Sequence, residues 1–282
     1  MKLTVLGSGS PEPYSRRASS GYLIETGDEK ILFDCGGGVV SRLIEAGHSP
    51  ADIDTLFFSH LHSDHMMDYA RLVHAAWEMG GKQLRVFGPR PLQHIHDCLF
   101  GPEGAYAHDL RARIDFAPSQ EVWRARGGKV PRPWPAPEIT EIGPGFALET
   151  GGWRLSSCSV PHAQPHLTCM AFRLECGAKT FVYSGDAGPC DDLSVLMQGA
   201  DLLLHWCYRL DGEPAQPLMA QMTPTPGEIG ELAKSAGVKR LLLTHFRVHM
   251  DAPENMASAL TALADAFGGN AAVAEDLDVH EI

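Results

Sequence analysis

The sequence predicts an α/β fold, a four-layer αββα sandwich in which two facing β-sheets lie between outer helices. Short β-rich runs alternate with segments of helical spacing, and the alternation occurs in the first half of the chain and again in the second. The chain has 282 residues, 44% of them hydrophobic, which is enough to bury one large core. We therefore expect a single domain over residues 1–282.

In the first half, β-rich runs bounded by glycine or proline predict strands over residues 3–6, 21–25, 31–33, 55–58 and 84–87. A hairpin turn over 26–29 joins the second of these strands to the third. Helical spacing predicts helices over residues 39–46, 69–79 and 92–99. Regular patterning then lapses over about 100–137, and so long an irregular stretch suggests a functional insertion or a cap.

The second half of the chain shows the same alternation of predicted strands and helices. Strands are predicted over residues 146–149, 154–160, 169–175, 180–184, 201–205, 240–244 and 271–274. Helices are predicted over residues 193–198, 226–235 and 253–267.

Composition and charge restrict the partners. The formal net charge of −12 disfavours nucleic acid and anionic membrane surfaces, but it leaves nucleic acid open where a local basic patch overrides it. Seven scattered cysteines without a C-x-x-C pair argue against a disulfide framework. We read no export signal and no membrane span, so we expect a cytoplasmic protein. A homodimer stays open.

The sharpest motif is His60-Leu61-His62-Ser63-Asp64-His65, which follows a predicted buried strand. Residues two apart in extended backbone point the same way, so His60 and His62 can converge on one ion. Asp64 and His65, one bend further on, can face a second ion. Imidazole and carboxylate are the ligands that zinc takes in catalytic sites, so the motif predicts a metal centre.

Three further residues end predicted strands. His162 follows the predicted strand over 154–160 and His245 follows the apolar strand over 240–244, at strand-to-loop edges where ligands are common. Asp186 ends the run Phe181–Gly185, and an acid at the edge of a buried strand is costly without a cation. A lone histidine is more often a core or surface residue than a ligand. The interpretation of these two histidines and of Asp186 as ligands therefore depends on the motif.

The ordered set H-x-H-x-D-H, a later histidine, Ser-Gly-Asp and Leu-Thr-His resembles the five-motif signature of the metallo-β-lactamase superfamily, in particular its ribonuclease Z and arylsulfatase-like branch. The run from Leu32 to Gly36 matches its first motif, and the similarity extends from about residue 3 to residue 245. The resemblance implies two Zn²⁺, with Mn²⁺ or Fe²⁺ as alternatives. It assigns His60, His62 and His162 to one ion, Asp64, His65 and His245 to the other, Asp186 as the bridge, and Asp34 as a carboxylate that orients a ligand imidazole.

Such a pair of ions gives hydroxide at neutral pH from a shared water and polarises the scissile group. We take Asp64, Asp186 and His205 as catalytic candidates. Ribonuclease Z proteins usually carry glutamate directly after the equivalent of His205 and a further histidine before the last motif. Here Trp206 follows His205, and no histidine lies between His205 and His245. Trp206 and Thr223 are candidates for the substrate pocket.

The leading hypothesis is a hydrolase of a small substrate, aromatic or acyl, with an ester-type bond: a phosphodiester, sulfate ester, lactone or thioester. The second is a ribonuclease Z-like tRNA 3′-end endonuclease. The six cations of the insertion lie beside Trp123 and Trp134 and can stack on bases, but the favoured interpretation is a cap or dimer contact whose arginines lie in solvent. The third is a metal-binding sensor without activity, although no metal ligand is missing.

Overall fold

The computed structural model describes residues 1–27 and 29–282. Within that part of the chain, two seven-stranded β-sheets face each other, and helices pack against their outer surfaces. The predicted four-layer sandwich is confirmed. Asp28, inside the predicted hairpin turn over 26–29, lies outside the described residues.

The first sheet has the strand order β14-β1-β2-β3-β4-β5-β6. Its strands are β1 (Lys2–Gly7), β2 (Gly21–Glu25), β3 (Lys30–Phe33), β4 (Thr55–Phe57), β5 (Arg85–Gly88), β6 (Glu138–Glu141) and β14 (Val279–Glu281). The strands from β14 to β3 pair antiparallel, and those from β3 to β6 pair parallel. The edge strands β6 and β14 carry little apolar sequence and were not expected.

The second sheet has the strand order β13-β12-β11-β10-β9-β8-β7. Its strands are β7 (Ala147–Glu149), β8 (Arg154–Ser159), β9 (Met170–Cys176), β10 (Lys179–Tyr183), β11 (Leu202–Trp206), β12 (Arg240–Thr244) and β13 (Asn270–Val273). The strands from β7 to β10 pair antiparallel, and those from β10 to β13 pair parallel. The parallel strands of both sheets therefore present a set of carboxyl ends, where loops carrying functional residues are commonly found.

The helices are α1 (Val39–Glu45), α2 (Ser63–Met66), α3 (Tyr69–Glu78), α4 (Leu92–Phe100), α5 (Ala107–Asp115), α6 (Ala117–Ala125), α7 (Asp191–Leu196), α8 (Pro217–Met222), α9 (Pro226–Ser235) and α10 (Pro253–Phe267). Short 3₁₀ turns lie at Pro50–Asp52 and Val248–Asp251. Among the described residues, no helix has both the length and the apolarity needed for a membrane span.

Alternation along the strands builds three hydrophobic layers. On β4 and just after it, Phe57 faces the core between the sheets, whereas Leu56 and Phe58 face the helices outside the first sheet. All three are fully buried. Because both faces of the strand are covered, the run is continuously apolar, and each buried side chain contributes roughly 1.5–3 kcal/mol.

The segment 100–137 contains the helices α5 and α6, although its sequence shows no clear periodicity. The helix α6 buries none of its described residues, so no apolar stripe marks it. Tertiary contacts hold the segment instead: the Arg132 guanidinium lies 3.4 Å from the centre of the Trp77 ring and 4.2 Å from that of Trp123. Arg132 also pairs with Glu78 at 3.0 Å, which fixes the segment to the carboxyl end of α3.

Candidate metal centre

The predicted ligands lie together where strands of both sheets end. His60 and His62 follow β4, and Asp64 and His65 lie in the short helix α2. The second sheet contributes three residues, each after the end of a strand: His162 after β8, Asp186 after β10 and His245 after β12. The contiguous motif and the isolated residues are therefore brought to one place from opposite sheets.

His60, His62 and His162 form the first group of donors. His62 Nδ1 lies 3.0 Å from His60 Nε2 and 3.2 Å from His162 Nε2. Two ligands held at about 2.0 Å from a tetrahedral ion are roughly 3.3 Å apart. The spacing of these nitrogens therefore fits one zinc-sized cation.

Asp64, His65 and His245 form the second group. Asp64 Oδ2 lies 3.5 Å from His65 Nε2 and 3.1 Å from His245 Nε2. Within each group all donor atoms are within 4.8 Å of one another. The second group, too, can hold a divalent ion.

Asp186 lies between the groups. Its Oδ2 is 3.6 Å from His162 Nε2 and 3.2 Å from His245 Nε2, and its Oδ1 is 3.5 Å from His65 Nε2. His65 Nε2 and Asp186 Oδ1 are buried, and neither has a hydrogen-bond partner among the described residues. A buried polar atom without a partner is costly, so these two atoms fit a bound cation.

Asp34, directly after β3, orients the imidazole of His65. His65 Nδ1 lies 2.8 Å from Asp34 Oδ2, so the ring donates there and turns the lone pair of Nε2 toward the centre. The Ser59 hydroxyl donates to the same oxygen at 2.8 Å and lies 3.0 Å from His60 Nδ1. Because this hydroxyl can then accept from His60 Nδ1–H, the lone pair of His60 Nε2 also faces the centre.

The pKa shifts of the histidines differ between the two donor groups. Burial lowers the pKa of His60, His62 and His162, which keeps these rings neutral. Burial also acts to lower the pKa of His65, but the carboxylates of Asp186 and Asp34 outweigh it and raise that pKa well above its ordinary value. Neutral imidazoles and ionised carboxylates are the forms that bind metal, so the first group has its binding form without loss of a proton.

The acidic members of the centre are ionised. Burial acts to raise the pKa of Asp186, but the imidazoles of His245 and His65 outweigh it and hold that pKa well below its ordinary value. The pKa of Asp64 is lowered in the same way, since the hydrogen bond from His245 outweighs the effect of burial. Two buried negative charges among imidazoles form a strongly cation-attracting site.

Two residues of the centre have left-handed backbone conformations. Asp34 has φ of 58° and His245 has φ of 69°. Such conformations cost about 1–3 kcal/mol away from glycine and cluster at functional sites. The backbone after His245 is fixed by a hydrogen bond of 2.9 Å from Phe246 N to the carbonyl of Ser8.

The other predicted site residues are placed differently. His205 belongs to neither donor group: its Nδ1 lies 2.8 Å from the Trp206 carbonyl, and burial lowers its pKa to about 4. Trp206 walls the centre, with its ring centre 5.2 Å from that of His162 and 5.6 Å from that of His245. Thr223 is buried, and its hydroxyl donates to the Met219 carbonyl within α8.

Sequence reasoning missed three residues around the centre. Tyr183 donates to Asp34 Oδ2 at 2.7 Å, and Ser59 contacts both Asp34 and His60. Tyr208 stacks on Trp206, with ring centres 5.7 Å apart. Position beside a predicted ligand was a signal for Ser59, which directly precedes His60. Tyr183 had no such signal, because its contact with Asp34 spans 149 positions.

Comparisons with known proteins agree with this fold. The profile described as "Beta-lactamase superfamily domain" matches residues 29–246. A protein named Ribonuclease Z from Mycobacterium sp. (strain KMS) is 29% identical over 290 aligned positions, covering 100% of this chain and 96% of that protein. A Ribonuclease Z from Mycobacterium bovis (strain BCG / Pasteur 1173P2) is 28% identical, covering 100% of this chain and 98% of its own length.

Solved structures show the same architecture. The metallo-beta-lactamase fold protein YhfI from Bacillus subtilis superposes with a TM-score of 0.75 at 25% identity, covering 99% of this chain and 98% of that one. The short form of human tRNase Z gives a TM-score of 0.71 at 19% identity, covering 100% and 99% of the two chains. The chain therefore belongs to the beta-lactamase superfamily, has the metallo-β-lactamase fold, and is a metal-dependent hydrolase of ester bonds.

Proposed function

We propose that the protein is a dinuclear zinc hydrolase that cleaves an ester-type bond in a small substrate carrying an aromatic or acyl group. The bond is a phosphodiester, sulfate ester, lactone or thioester, and Mn²⁺ or Fe²⁺ are the alternative metals. The observation that carries the proposal is the pair of donor groups with Asp186 between them. A shared carboxylate between two three-donor groups suits two ions better than one.

In this proposal, the residues around the centre have separate roles in catalysis. Bound divalent ions lower the pKa of a water and polarise the scissile group. Asp34 and Ser59 hold the imidazoles of His65 and His60 in the orientation that metal binding needs. Asp64 lines the cleft beside the centre, where it is placed to orient the attacking oxygen. The Trp206 indole N–H donates to the Ala187 carbonyl at 2.5 Å, which fixes the ring beside the centre. In this proposal the apolar ring excludes water from that side.

The charges around the centre support a small substrate. Polyanion binding needs cations that are free to contact phosphates. The loops around the centre and the helix α1 carry five arginines that all pair with carboxylates: Arg16, Arg17, Arg42, Arg209 and Arg247. Four of the six cations of the insertion pair with carboxylates as well, namely Arg111, Arg113, Arg126 and Arg132, whereas Arg124 and Lys129 have no ion pair among the described residues. Such committed cations favour a substrate with little charge.

The second candidate function is cleavage at the 3′ end of precursor tRNA. The relatives named Ribonuclease Z favour it, since they match the chain over its whole length. The replacement of glutamate by Trp206, directly after His205, argues against it. Cleavage of precursor tRNA that weakens steeply with added salt would select this function, because each phosphate contact releases counterions.

One set of measurements tests both candidates. Elemental analysis measures the metal bound to the purified protein. Hydrolysis is then assayed with chromogenic phosphodiesters, sulfate esters, lactones and thioesters, and in parallel with a precursor tRNA. We expect about two zinc ions per chain and turnover of a small ester. His62→Ala should lower both metal content and turnover, whereas His108→Ala, an exposed residue of the insertion, should change neither. Bound metal with no turnover of any substrate would favour the sensor hypothesis and contradict the proposal.

A further inference from the structure

A cleft opens directly beside the metal centre. Its volume is about 410 Å³, and Ser63 and Asp64 form part of its lining. We call it the Asp64 cleft, and its remaining walls include Pro11, Pro13, Tyr14, Ala18, Gly37 and Met67. Because Asp64 belongs to the second donor group, a molecule in the cleft would lie next to the reacting bond. Small-molecule sites have volumes of roughly 300–1,000 Å³, so the cleft is large enough for one substrate group.

The arginines and the tyrosine hydroxyl in the walls of the cleft already have polar partners. The Arg17 side chain is fully buried, and it pairs with Asp251 at 2.9 Å and with Glu275 at 2.7 Å. The Tyr14 hydroxyl donates to the same Asp251 at 2.8 Å. Arg42 donates to Glu45 at 2.7 Å and to Asp276 at 3.1 Å. Apart from Asp64 and the serines at positions 15, 19, 41 and 63, the cleft therefore presents mainly prolines, Ala18 and the Met67 thioether to a ligand.

The walls are held in place before any ligand binds. On one side, Ala18 N donates to Asp276 Oδ2 at 2.7 Å, which ties the loop 11–19 to the carboxyl-terminal part of the chain. On the other side, Gly36 packs so closely that an added Cβ would lie 2.0 Å from the Asp64 carbonyl oxygen. A preformed apolar surface loses little entropy on binding and therefore adds affinity.

We propose that the Asp64 cleft binds the apolar part of the substrate, an alkyl chain or an aryl ring attached to a neutral or singly charged ester. This inference rests on the proposed function and names the substrate class of the same site. Three observations carry it: the cleft is continuous with Asp64, its cations are paired, and Met67, 64% exposed, offers an uncovered apolar side chain at the rim. A polyanion would find no free cation among the described residues of its lining.

Gly37 gives a way to fill the cleft without disturbing the fold. A Cβ added there would lie 3.8 Å from both Met67 Cβ and Ser19 Oγ, which is ordinary contact, and Gly37 is not among the residues with positive φ. Its neighbours are unsuitable, because Gly36 has no room and Gly38 has φ of 97°. A leucine at position 37 would therefore occupy the space assigned to the substrate.

The test is a series of alkyl p-nitrophenyl phosphate diesters, from methyl to hexyl, with the zinc-loaded enzyme. Fully burying one methylene corresponds to roughly fourfold in kcat/KM, and half-burial in an open cleft to roughly twofold. We expect the hexyl ester to exceed the methyl ester by about 30-fold over five methylenes. Gly37→Leu should reduce that ratio to below about threefold, and Met67→Ala should reduce it by about threefold. Met79→Ala, an exposed methionine remote from the cleft, should keep the native ratio.

A second measurement separates this inference from the proposed function. Calorimetric titration with methyl- to hexylphosphonate, followed for native protein and for Gly37→Leu, reports binding without turnover. Affinity that rises with chain length and is flattened by Gly37→Leu supports the cleft, even if no ester is hydrolysed. A flat series in the native protein, or an unchanged slope in a Gly37→Leu protein with native thermal stability, overturns it, even if turnover is found.

Discussion

Replacement of Asp34 by asparagine measures how far a buried carboxylate supports metal binding through His65. Asp34 Oδ2 accepts from His65 Nδ1, from the Ser59 hydroxyl and from the Tyr183 hydroxyl at 2.7–2.8 Å, and Asp34 Oδ1 accepts from Ser59 N at 2.8 Å. Asparagine keeps the shape, and it is tolerated at the left-handed φ of 58° better than most residues. The substitution therefore removes the charge and one acceptor without adding backbone strain.

The expected size follows from these contacts. An amide offers one acceptor oxygen, so at least one buried donor loses its partner, at a cost of about 1–3 kcal/mol in the free energy of unfolding. Loss of the carboxylate also lowers the basicity of His65. Changes of this kind weaken metal binding by about 10–100-fold, or roughly 1.4–2.7 kcal/mol.

Zinc affinity is measured by competition with a chromophoric chelator, and the unfolding of metal-free protein is followed in urea. The matched control is Asp54→Asn, because Asp54 also accepts from a backbone N–H, that of Lys30 at 2.9 Å, but lies away from the centre. If Asp34→Asn binds zinc within twofold of the native protein, Asp34 does not act through His65 and the reasoning fails.

Two further predictions concern the loop that forms one wall of the Asp64 cleft. Arg17→Met leaves the mostly buried Asp251 with only the more distant Arg16, at 3.7 Å, as a cation, so we expect a loss of up to about 3–5 kcal/mol in urea unfolding. Arg113→Met, at an exposed pair, should lose only about 0.5 kcal/mol, and equal losses would contradict the reasoning. Burial acts to raise the pKa of Asp251, but hydrogen bonds from Arg17 and Tyr14 outweigh it and hold that pKa below its ordinary value. Because the folded value is the lower one, this stabilisation is present above about pH 4 and is lost as the pH falls through the folded value. Asp251→Asn should therefore lose less stability between about pH 5 and pH 3, and an unchanged slope would refute the assignment.

The grouping of the predicted metal ligands could be anticipated because their signals are local. The residues from His60 to His65 form one contiguous motif, and His162, Asp186 and His245 each follow a predicted strand. Strand ends in the two sheets meet at one place, so position along the chain was enough to suggest proximity. The interpretation of Asp34 as a partner of an imidazole also agrees with its contact to His65.

The remaining features depend on tertiary contacts that leave no periodic trace. The helix α6 has no buried face, and the contact of Arg132 with Trp77 joins residues that are 55 positions apart. The edge strands β6 and β14 are mostly exposed or half-buried, so no apolar alternation marks them. The cleft could not be predicted either, since its walls come from the loop 11–19, from Gly37 and Gly38, and from the segment that carries Met67.

The donor atoms of the centre come from both sheets. A bound metal ion would therefore be a reversible cross-link between the two halves of the sandwich. Asp64 and His245, which are 181 positions apart and belong to one donor group, could not separate while an ion held both. Unfolding must then release the cation, so the persistence of the native state is coupled to the supply of free metal. At a free-ion concentration 100 times the dissociation constant, this linkage adds about 2.7 kcal/mol to the free energy of unfolding. Scarcity of metal would therefore shorten the lifetime of the folded protein as well as remove its activity.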